Sequence, residues 1–382
     1  MALTTVDTNN KLIRFTKDIN REFVRENLFS PYMSADMNAI IRVRNELKAG
    51  GEVMNIPFVK RLKGAGVGAV AALVGAEEKI DNYGLRVKVD WARNAVVTNN
   101  AEKQRDSADL FGEAKPLLSD WGKSRQRDDI IKALMAFPTE TLPAADVTVN
   151  GVLYGAAEAG QTAAATAWMQ ANTDRVQYGA ARTNTKATHI LSLAELDVTN
   201  DKLTAANLSL LKRVALNADP HIRPYKTRDG YEYYVVFAGT NTFRDLKLDL
   251  QTVNKDARPR EGDGMNKNPL FQDGDQIYDG IIVRQVPEIS QFVTTSWTGL
   301  TTAGTTANRV EPVFLCGQQA AAICWGQMVR PTFRKEDDYD FLQGVGIDMC
   351  YGTVKMFSKH PMTGSNLVQS GVVTGFYSSA SD

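Results

Sequence analysis

The sequence predicts an α+β fold, because helical and strand patterns are both present but do not alternate regularly. A doubly wound parallel sheet would require strands and helices in strict alternation, and the 382 residues show no such order. No segment recurs at a fixed period, which argues against a solenoid or a propeller. A chain of this length forms two or three domains as a first expectation, and folding would remove roughly three quarters of its extended surface.

Composition argues against several classes of protein. Lys and Arg total 44 and Asp and Glu total 44, so the formal net charge is zero. Domains whose main task is to bind nucleic acid through its phosphates are strongly basic. Hydrophobic residues make up 43% and charged residues 23% of the chain, which is typical of a globular protein and not of a disordered one.

Three cysteines, Cys316, Cys324 and Cys350, are too few for a disulfide framework and suit a reducing cytosol. Residues 1–7 lack the basic and then apolar pattern of a signal peptide. No apolar run reaches the roughly 18 residues that a membrane span requires. We therefore expect a soluble chain that stays in the compartment where it is made.

The N-terminal region predicts two helices. Residues 10–28 have the spacing of an amphipathic helix that ends before Pro31. Its apolar positions are three and four residues apart: Leu12, Phe15, Ile19 and Phe23. Such a helix lies either on the chain's own core or on a neighbouring subunit, and periodicity leaves both alternatives open. The second helical pattern, Ala35–Leu47, ends at Gly50 and Gly51.

A long β-hairpin is predicted next. Val53–Leu62 is strand-like, and its Pro57 makes it either an edge strand or a distorted one. Residues 63–75 are rich in glycine and alanine, and residues 86–97 return as a strand that begins with charged and apolar residues in alternation. An isolated two-stranded hairpin is marginally stable in water, so this one is expected to lie on another surface.

Residues 101–137 give the strongest helix pattern of the chain. Pro116 fits a first helical turn or a kink, and Pro138 ends the pattern. From Pro116 to Phe137 the helix would be about 30 Å long. Four residues of its apolar stripe are the predicted core contacts: Leu117, Trp121, Ile131 and Leu134.

The remainder predicts a mixed body. We expect a polar loop over residues 256–275 and a short buried helix over residues 318–327. An amphipathic helix is predicted over residues 204–218. Strands are predicted at five places: residues 231–237, 277–286, 310–316, 346–357 and 372–377.

The motif search finds no strong catalytic pattern. Gly64–Ala69 matches a loose dinucleotide-binding pattern with Asp90 downstream, which leaves a dinucleotide-binding enzyme as an alternative. The basic residues of the preceding strand and Gly75, close behind, favour a hairpin tip instead. Ser209 and Lys212 match Ser-x-x-Lys, but the partner motifs of penicillin-binding enzymes are missing. The sequence therefore predicts no enzyme and no cofactor.

Binding motifs are equally weak. Asp273, Asp275 and Asp279 fail the calcium-loop pattern because position 12 is Arg284, and the histidines and cysteines show no zinc spacing. No metal is expected. The basic cluster within residues 123–127 leaves a nucleic-acid-binding module as a second alternative, although Asp128 and Asp129 neutralise it.

Several stretches, in this order and spacing, resemble the major capsid proteins of tailed bacteriophages, and most closely the short-tailed phage N-four-type capsid family. They are Gly51–Phe58, Asp81–Leu85, Val89–Arg93, Ala114–Leu118 with Trp121, Arg127–Ile131, Asn268–Phe271, Tyr278–Gly280 and Glu336–Asp340. The resemblance runs from about residue 12 to residue 377. Residues 155–172, rich in Ala, Gly and Thr, and residues 290–308, rich in Ser, Thr and Gly, resemble the family's usual sequence less closely.

The resemblance implies the tailed-phage capsid fold, known as the Hong-Kong-ninety-seven type. Its parts would be an N-terminal arm (residues 1–50), an extended β-hairpin loop (51–99), a peripheral domain with a long spine helix (100–150 and 330–382) and an axial domain (151–329). The family's subunits assemble into pentamers and hexamers of an icosahedral shell that encloses double-stranded DNA. This implies a virion protein made in the host bacterial cytoplasm.

The implied partners are other copies of the chain, a separate scaffolding protein, a portal protein and a decoration protein. Packaged DNA would be contacted weakly and without sequence specificity, and no membrane is involved. The candidate assembly contacts lie in the arm and the hairpin: Leu12, Phe15, Ile19, Phe23, Lys60, Arg61, Lys63, Glu77, Glu78, Arg86 and Lys88.

Overall fold

The computed structural model describes residues 27–62, 64–69, 72–105, 112–155, 162–227, 230–256, 276–334, 339, 341–360 and 366–379. The predicted polar loop beyond residue 256 and most of the predicted helix over residues 10–28 lie outside these residues. So do five candidate contacts: Leu12, Phe15, Ile19, Phe23 and Lys63.

The chain is a mixture of strands and helices, as predicted. Its strands are β1 (Met33–Ser34), β2 (Ile41–Arg44), β3 (Val53–Val59), β4 (Asn82–Lys88), β5 (Asp90–Asn99), β6 (Val149–Asn150), β7 (Val176–Tyr178), β8 (Tyr225–Lys226), β9 (Glu232–Ala238), β10 (Gln276–Tyr278), β11 (Ile281–Gln285), β12 (Arg309–Cys316), β13 (Ala321–Phe333), β14 (Leu342–Lys355), β15 (Phe357–Lys359), β16 (Leu367–Gln369) and β17 (Val372–Ser379). Its α-helices are α1 (Asn100–Arg105), α2 (Ala114–Met135), α3 (Thr162–Ala171), α4 (His189–Ala194), α5 (Ala205–Asn217), α6 (Thr240–Asp256) and α7 (Pro287–Thr295).

The first sheet carries the long helix. Its strand order is β1-β2-β13-β14-β5, with β6 paired to β14, and α2 packs on it. The helix has 22 residues and is therefore about 33 Å long. Ile131 and Leu134 are buried, whereas Trp121 is half-buried.

The sequence predicts Leu117 as a core residue, but the structure buries the adjacent Leu118 instead. Leu117 is 45% exposed and Leu118 is 4% exposed, and Leu118 packs with Val345 and Ile347 of β14. Adjacent residues on an α-helix point about 100° apart. An error of one residue in the phase of the stripe therefore exchanges a core position for a surface one.

The second sheet lies between two layers of helices. Its order is β10-β11-β9-β12-β17-β7, with β8 paired to β9. Val235 and Phe237 of β9 join the core that contains α3 and α7. Tyr234 and Val236, which alternate with them, join the core built with α5 and α6. This alternation follows from the two-residue period of a strand.

The predicted hairpin forms, and its alternating pattern explains how it lies on the body. Strands β3 and β4 pair only with each other. One face of the pair packs on Ala322, Cys324 and Val354 of the first sheet, and Phe357 completes the contact. Pro57 has Gly84 as its cross-strand partner, an edge-strand position where a missing N–H is tolerated. The strand predicted over residues 86–97 continues as β5 and joins the first sheet.

Three predictions of secondary structure were wrong. The helix predicted over Ala35–Leu47 is replaced by β2, which pairs in parallel with β13, and by a 3-10 turn over Glu46–Ala49. The helix predicted over residues 318–327 is a turn followed by β13, which pairs with β14 over most of its length. Short apolar runs fit either structure by periodicity, and tertiary strand pairing decides between them.

The single strand predicted over residues 277–286 is a hairpin of β10 and β11. The chain reverses at Asp279 and Gly280, whose φ angles are 50° and 70°. Asp-Gly is the usual pair for a turn in which both central residues have positive φ. The turn residues were present in the sequence, inside a run that otherwise looked continuous.

Candidate assembly interface

The loop that joins β3 to β4 exposes a group of apolar side chains. The backbone N–H of Lys60 donates to the carbonyl of Asp81 at 2.9 Å and closes the base of the loop. Between these residues, Val74 is 88% exposed and Ile80 is 63% exposed. We call the group the hairpin-loop surface; its members are Val59 at the end of β3 and, within the loop, Leu62, Val67, Leu73, Val74 and Ile80.

Two of the predicted contact residues shape this loop from within. The Gly75 N–H donates to Glu77 Oε2 at 2.7 Å, and the Gly64 N–H donates to Glu78 Oε2 at 2.7 Å. The second bond links the outgoing and returning halves of the loop. Glu77 and Glu78 therefore order the loop backbone, and their role as contacts with another subunit stays a prediction.

Arg86 and Lys88 attach the hairpin to the body of the same chain. Arg86 Nη2 donates to the Glu140 carbonyl at 3.3 Å, and Lys88 Nζ donates to the Ala144 carbonyl at 3.3 Å. Asn150 accepts the Lys88 backbone N–H and donates to its carbonyl, both at 2.9 Å. These bonds fix where the hairpin leaves the body.

The ammonium of Lys88 also lies 3.5 Å from Asp90 and 3.8 Å from Glu52. Burial opposes ionisation of Asp90, but the backbone N–H groups of Trp91 and Asp146, together with Lys88, hold the pKa of Asp90 below its ordinary value. The root of the hairpin is thus supported by charge and hydrogen bonding as well as by apolar burial.

Arg61 forms an ion pair that connects the other side of the hairpin to the helices packed on the second sheet. Its Nη2 lies 2.7 Å from Asp219 Oδ1, just after α5. Lys60 is half-buried beside it. The two residues sit at the mouth of a cleft between the hairpin and the body.

A second exposed apolar surface lies at the far end of the first sheet. We call the set the sheet-end surface; its members lie on both faces of the strands and on α2, and they are Val96, Val97, Leu117, Met328, Val329, Phe333 and Phe341. Val345 is the cross-strand partner of both Val96 and Phe333, so these side chains lie side by side on one face. Sequence reasoning missed this surface, because Val96, Val97 and Phe333 have the composition of ordinary buried strands.

The basic cluster of α2 is neutralised by its own chain. Lys123 lies 4.0 Å from Asp120 and Arg125 lies 3.3 Å from Asp129. Arg127 pairs with Asp128 at 3.0 Å and with Glu288 of α7 at 3.1 Å. A nucleic-acid-binding surface requires cations that are available to phosphates, and this arrangement does not favour one.

The Gly64–Ala69 stretch does not have the structure of a dinucleotide site. A pyrophosphate cradle requires a buried parallel strand followed by the N-terminus of a helix. The preceding strand is β3 of an antiparallel pair, and the described residues of the loop that follows contain no helix. Lys212 of the Ser-x-x-Lys match lies 3.0 Å from Asp279 in an ordinary ion pair.

The described part of the chain contains no cluster of three or more potential metal ligands. No helix within the same residues has the length and apolar character needed to cross a bilayer. The geometry instead consists of a hairpin with an exposed apolar end, a long helix on a sheet, and a second sheet between helices.

Comparison with known proteins agrees with this arrangement. The family model described as phage capsid protein matches residues 4–378. The chain belongs to the phage capsid protein family. It is a structural protein of the virion, a major capsid protein that forms an icosahedral shell.

Solved capsid structures share the fold over the whole chain. The capsid asymmetric unit of cyanophage Pam1 is 33% identical, with 100% of both chains covered and a TM-score of 0.85. The capsid of Ralstonia phage GP4 is 15% identical, covers 100% of this chain and 99% of its own, and has a TM-score of 0.68. The head of Helicobacter pylori bacteriophage KHP40 is 13% identical, with 98% and 96% covered and a TM-score of 0.61. No curated protein sequence matches the chain.

Proposed function

We propose that the capsid subunit holds its neighbours through the N-terminal arm, the hairpin-loop surface and the sheet-end surface. The observation that carries the proposal is the exposure of six apolar side chains, the hairpin-loop surface, at the end of an otherwise well-packed hairpin. Large exposed apolar patches mark surfaces that are covered by a partner. In a shell, many contacts of modest strength allow assembly to be cooperative while incorrect contacts still dissociate.

We propose a division into domains in which each of the two sheets forms the centre of one domain. The first sheet with α2 corresponds to the peripheral domain, and the second sheet with α5, α6 and α7 to the axial domain. Residues 33–44 pair within the first sheet and residues 372–379 within the second, so these segments cross the boundaries drawn at 50 and 329. Phe29 is fully buried in the body, which limits a separate arm to the residues before it.

The net charge of the chain and its membership of the capsid family support a proposal for its wider role in the virion. A chain of zero net charge would repel neither its copies nor DNA strongly, which suits weak and non-specific contact with a packaged double-stranded genome. A scaffolding protein, a portal protein and a decoration protein are the further partners that we propose, with synthesis in the host cytoplasm. We propose no catalytic activity.

Assembly of variants tests the arm and the loop. The full chain, expressed with the other head proteins of its phage, should give shells in negative-stain electron microscopy and a fast sedimenting species. Removing residues 1–26 should leave a folded chain that forms no stable shells. Replacing Phe15, Ile19 and Phe23 by Ser should have the same effect.

The matched control is in the loop. Val74→Ser should reduce shell yield, whereas Val74→Leu keeps an apolar side chain at the same position and should preserve it. Wild-type yields from the arm deletion and from Val74→Ser would contradict the proposed contacts. A full chain that remains monomeric with every head protein tried would contradict shell assembly itself.

A further inference from the structure

A basic cleft of about 620 Å³ lies where the hairpin leaves the body. Its walls come from five separate segments: the end of β3 with Lys60 and Arg61, the turn from Pro220 to Arg223, Gln318–Gln319, Ser358–Lys359, and Ser370. The cleft is large enough for several side chains, and its walls are folded without any partner.

The charged side chains that line the cleft are basic. Lys60, Arg61, Arg223 and Lys359 line the cleft together with His221, and none of the described residues that line it carries a carboxylate. Asp219 pairs with Arg61 at 2.7 Å and Glu140 with Lys359 at 2.9 Å. Within the described residues, no ion pair involves Lys60 or Arg223. The cleft therefore keeps a positive field that favours a carboxylate-rich occupant.

The same chain contains such an occupant. Four of the five residues from Glu336 to Asp340 are acidic, and this segment joins β13 to β14. Tyr339 within it is fully exposed, and Phe341 beside it is exposed. The strongest acidic run of the sequence is thus attached to the outer end of a long antiparallel pair.

The acidic run cannot reach the cleft of its own subunit. Strand β13 begins at Ala321, next to the cleft residue Gln319, and has 13 residues. At about 3.3 Å per residue it spans roughly 40 Å before the acidic run starts. The cleft and the acidic run lie at opposite ends of the same strand, so a contact between them requires two copies of the chain.

We propose that the acidic segment 336–340 of one subunit docks into the cleft lined by Lys60 and Arg223 of a second copy. This inference rests on the proposed shell assembly and adds a specific pair of surfaces to it. Because the contact is largely electrostatic, salt weakens it by screening. Opposite charges on complementary surfaces also guide the two copies into one orientation.

Charge reversal with rescue tests the pairing. Lys60→Glu with Arg223→Glu should reduce shell yield at least tenfold, and Asp337→Lys with Asp338→Lys should do the same. The four substitutions together should restore most of the yield. Thermal unfolding should be unchanged in all three variants, since Lys60 and Arg223 make no ion pair within the described part of the chain and the other two substitutions lie in a highly charged segment of the sequence. Losses without rescue would overturn the inference.

A disulfide trap provides a test that does not depend on yield. The three native cysteines are buried, so an engineered pair, Arg223→Cys with Asp338→Cys, should dominate crosslinking in assembled shells. A ladder of oligomers on a non-reducing gel is expected, and each single cysteine variant should give at most dimers. Shells that form normally without the ladder would overturn the docking and leave shell assembly intact.

A further possible outcome of the charge-reversal experiment concerns packaged DNA. If Lys60→Glu with Arg223→Glu forms shells normally but retains less packaged DNA, the cleft faces nucleic acid and the inference is overturned. If the unmodified chain forms no shells, the proposed assembly fails before the docking is reached. The experiment therefore separates the two proposals.

Discussion

The root and the loop of the hairpin differ in how their apolar side chains are covered. The root, β3 with β4, buries four alternating side chains against the body: Met54, Ile56, Leu85 and Val87. The loop beyond them leaves four comparable side chains exposed: Leu62, Leu73, Val74 and Ile80. The root is therefore part of the fold of one subunit, whereas the loop has apolar area that only another surface can cover. Within one element, burial separates residues that stabilise the subunit from residues that are available for assembly.

The largest expected effect is in the root. Leu85→Ala removes a fully buried side chain that pairs across the strands with Ile56, and such truncations cost about 2–5 kcal/mol. Urea unfolding measures the loss. Asn55→Ala, at an exposed position on the solvent face of the paired strand β3, is the control and should cost far less. Equal effects of the two variants would contradict the division of the root into a packed face and an exposed face.

The second prediction concerns the pH dependence of the free energy of unfolding, which should come from the body and not from the hairpin. His189 is buried among aromatic rings, with Nδ1 2.7 Å from the Tyr178 hydroxyl, and burial lowers the pKa of His189 to about 4. The folded chain thus binds fewer protons than the unfolded chain between this value and the ordinary 6.5. The free energy of unfolding should therefore fall by about 3 kcal/mol as pH drops through that window.

The variant His189→Gln keeps a polar group at this position and should flatten the pH dependence. Unfolding curves at several pH values between 4 and 7 provide the measurement, and hydrogen exchange locates the loss in the body and not in the hairpin. An unchanged slope in the variant would show that another group is responsible.

The third prediction concerns the attachment of the root. Asn150→Ala leaves the N–H and carbonyl of Lys88 without their side-chain partners. Loss of buried hydrogen bonds costs about 1–3 kcal/mol, and amide exchange in β4 should rise. Asn94→Ala, an exposed asparagine on β5, serves as the control. Unaltered exchange in β4 would mean that apolar packing alone holds the hairpin in place.

Sequence patterns predicted the root well and the surfaces poorly, for physical reasons. The alternation from Arg86 to Trp91 predicts a strand with one wet face because the pattern is local. The helix predicted over residues 318–327 failed because the run Ala321–Trp325 is apolar on both faces, and its pairing partners are distant in sequence. Errors in the phase of a helix's apolar stripe also matter. Leu117 and Leu118 are adjacent in sequence, yet Leu117 is exposed and Leu118 is buried.

The candidate sites show the same limit. The basic cleft is assembled from segments near residues 60, 221, 318, 359 and 370, and no sequence pattern links them. The sheet-end surface is as apolar in sequence as a core strand would be, so only burial separates the two. By contrast, the exposure of the hairpin loop follows from a local signal, the glycine-rich composition between two strands.

The smallest effect on folding is expected in the loop, where assembly should change most. Val74 is exposed, so Val74→Ser should alter the free energy of unfolding by less than about 0.5 kcal/mol, while shell yield falls. Urea unfolding of the monomer and sedimentation of assembled material provide the two measurements. Leu85→Ala should show the opposite balance, with a large loss of stability in the monomer itself. If Val74→Ser destabilised the monomer as strongly as Leu85→Ala, the loop would belong to the fold of the single subunit and its exposed side chains would need another explanation.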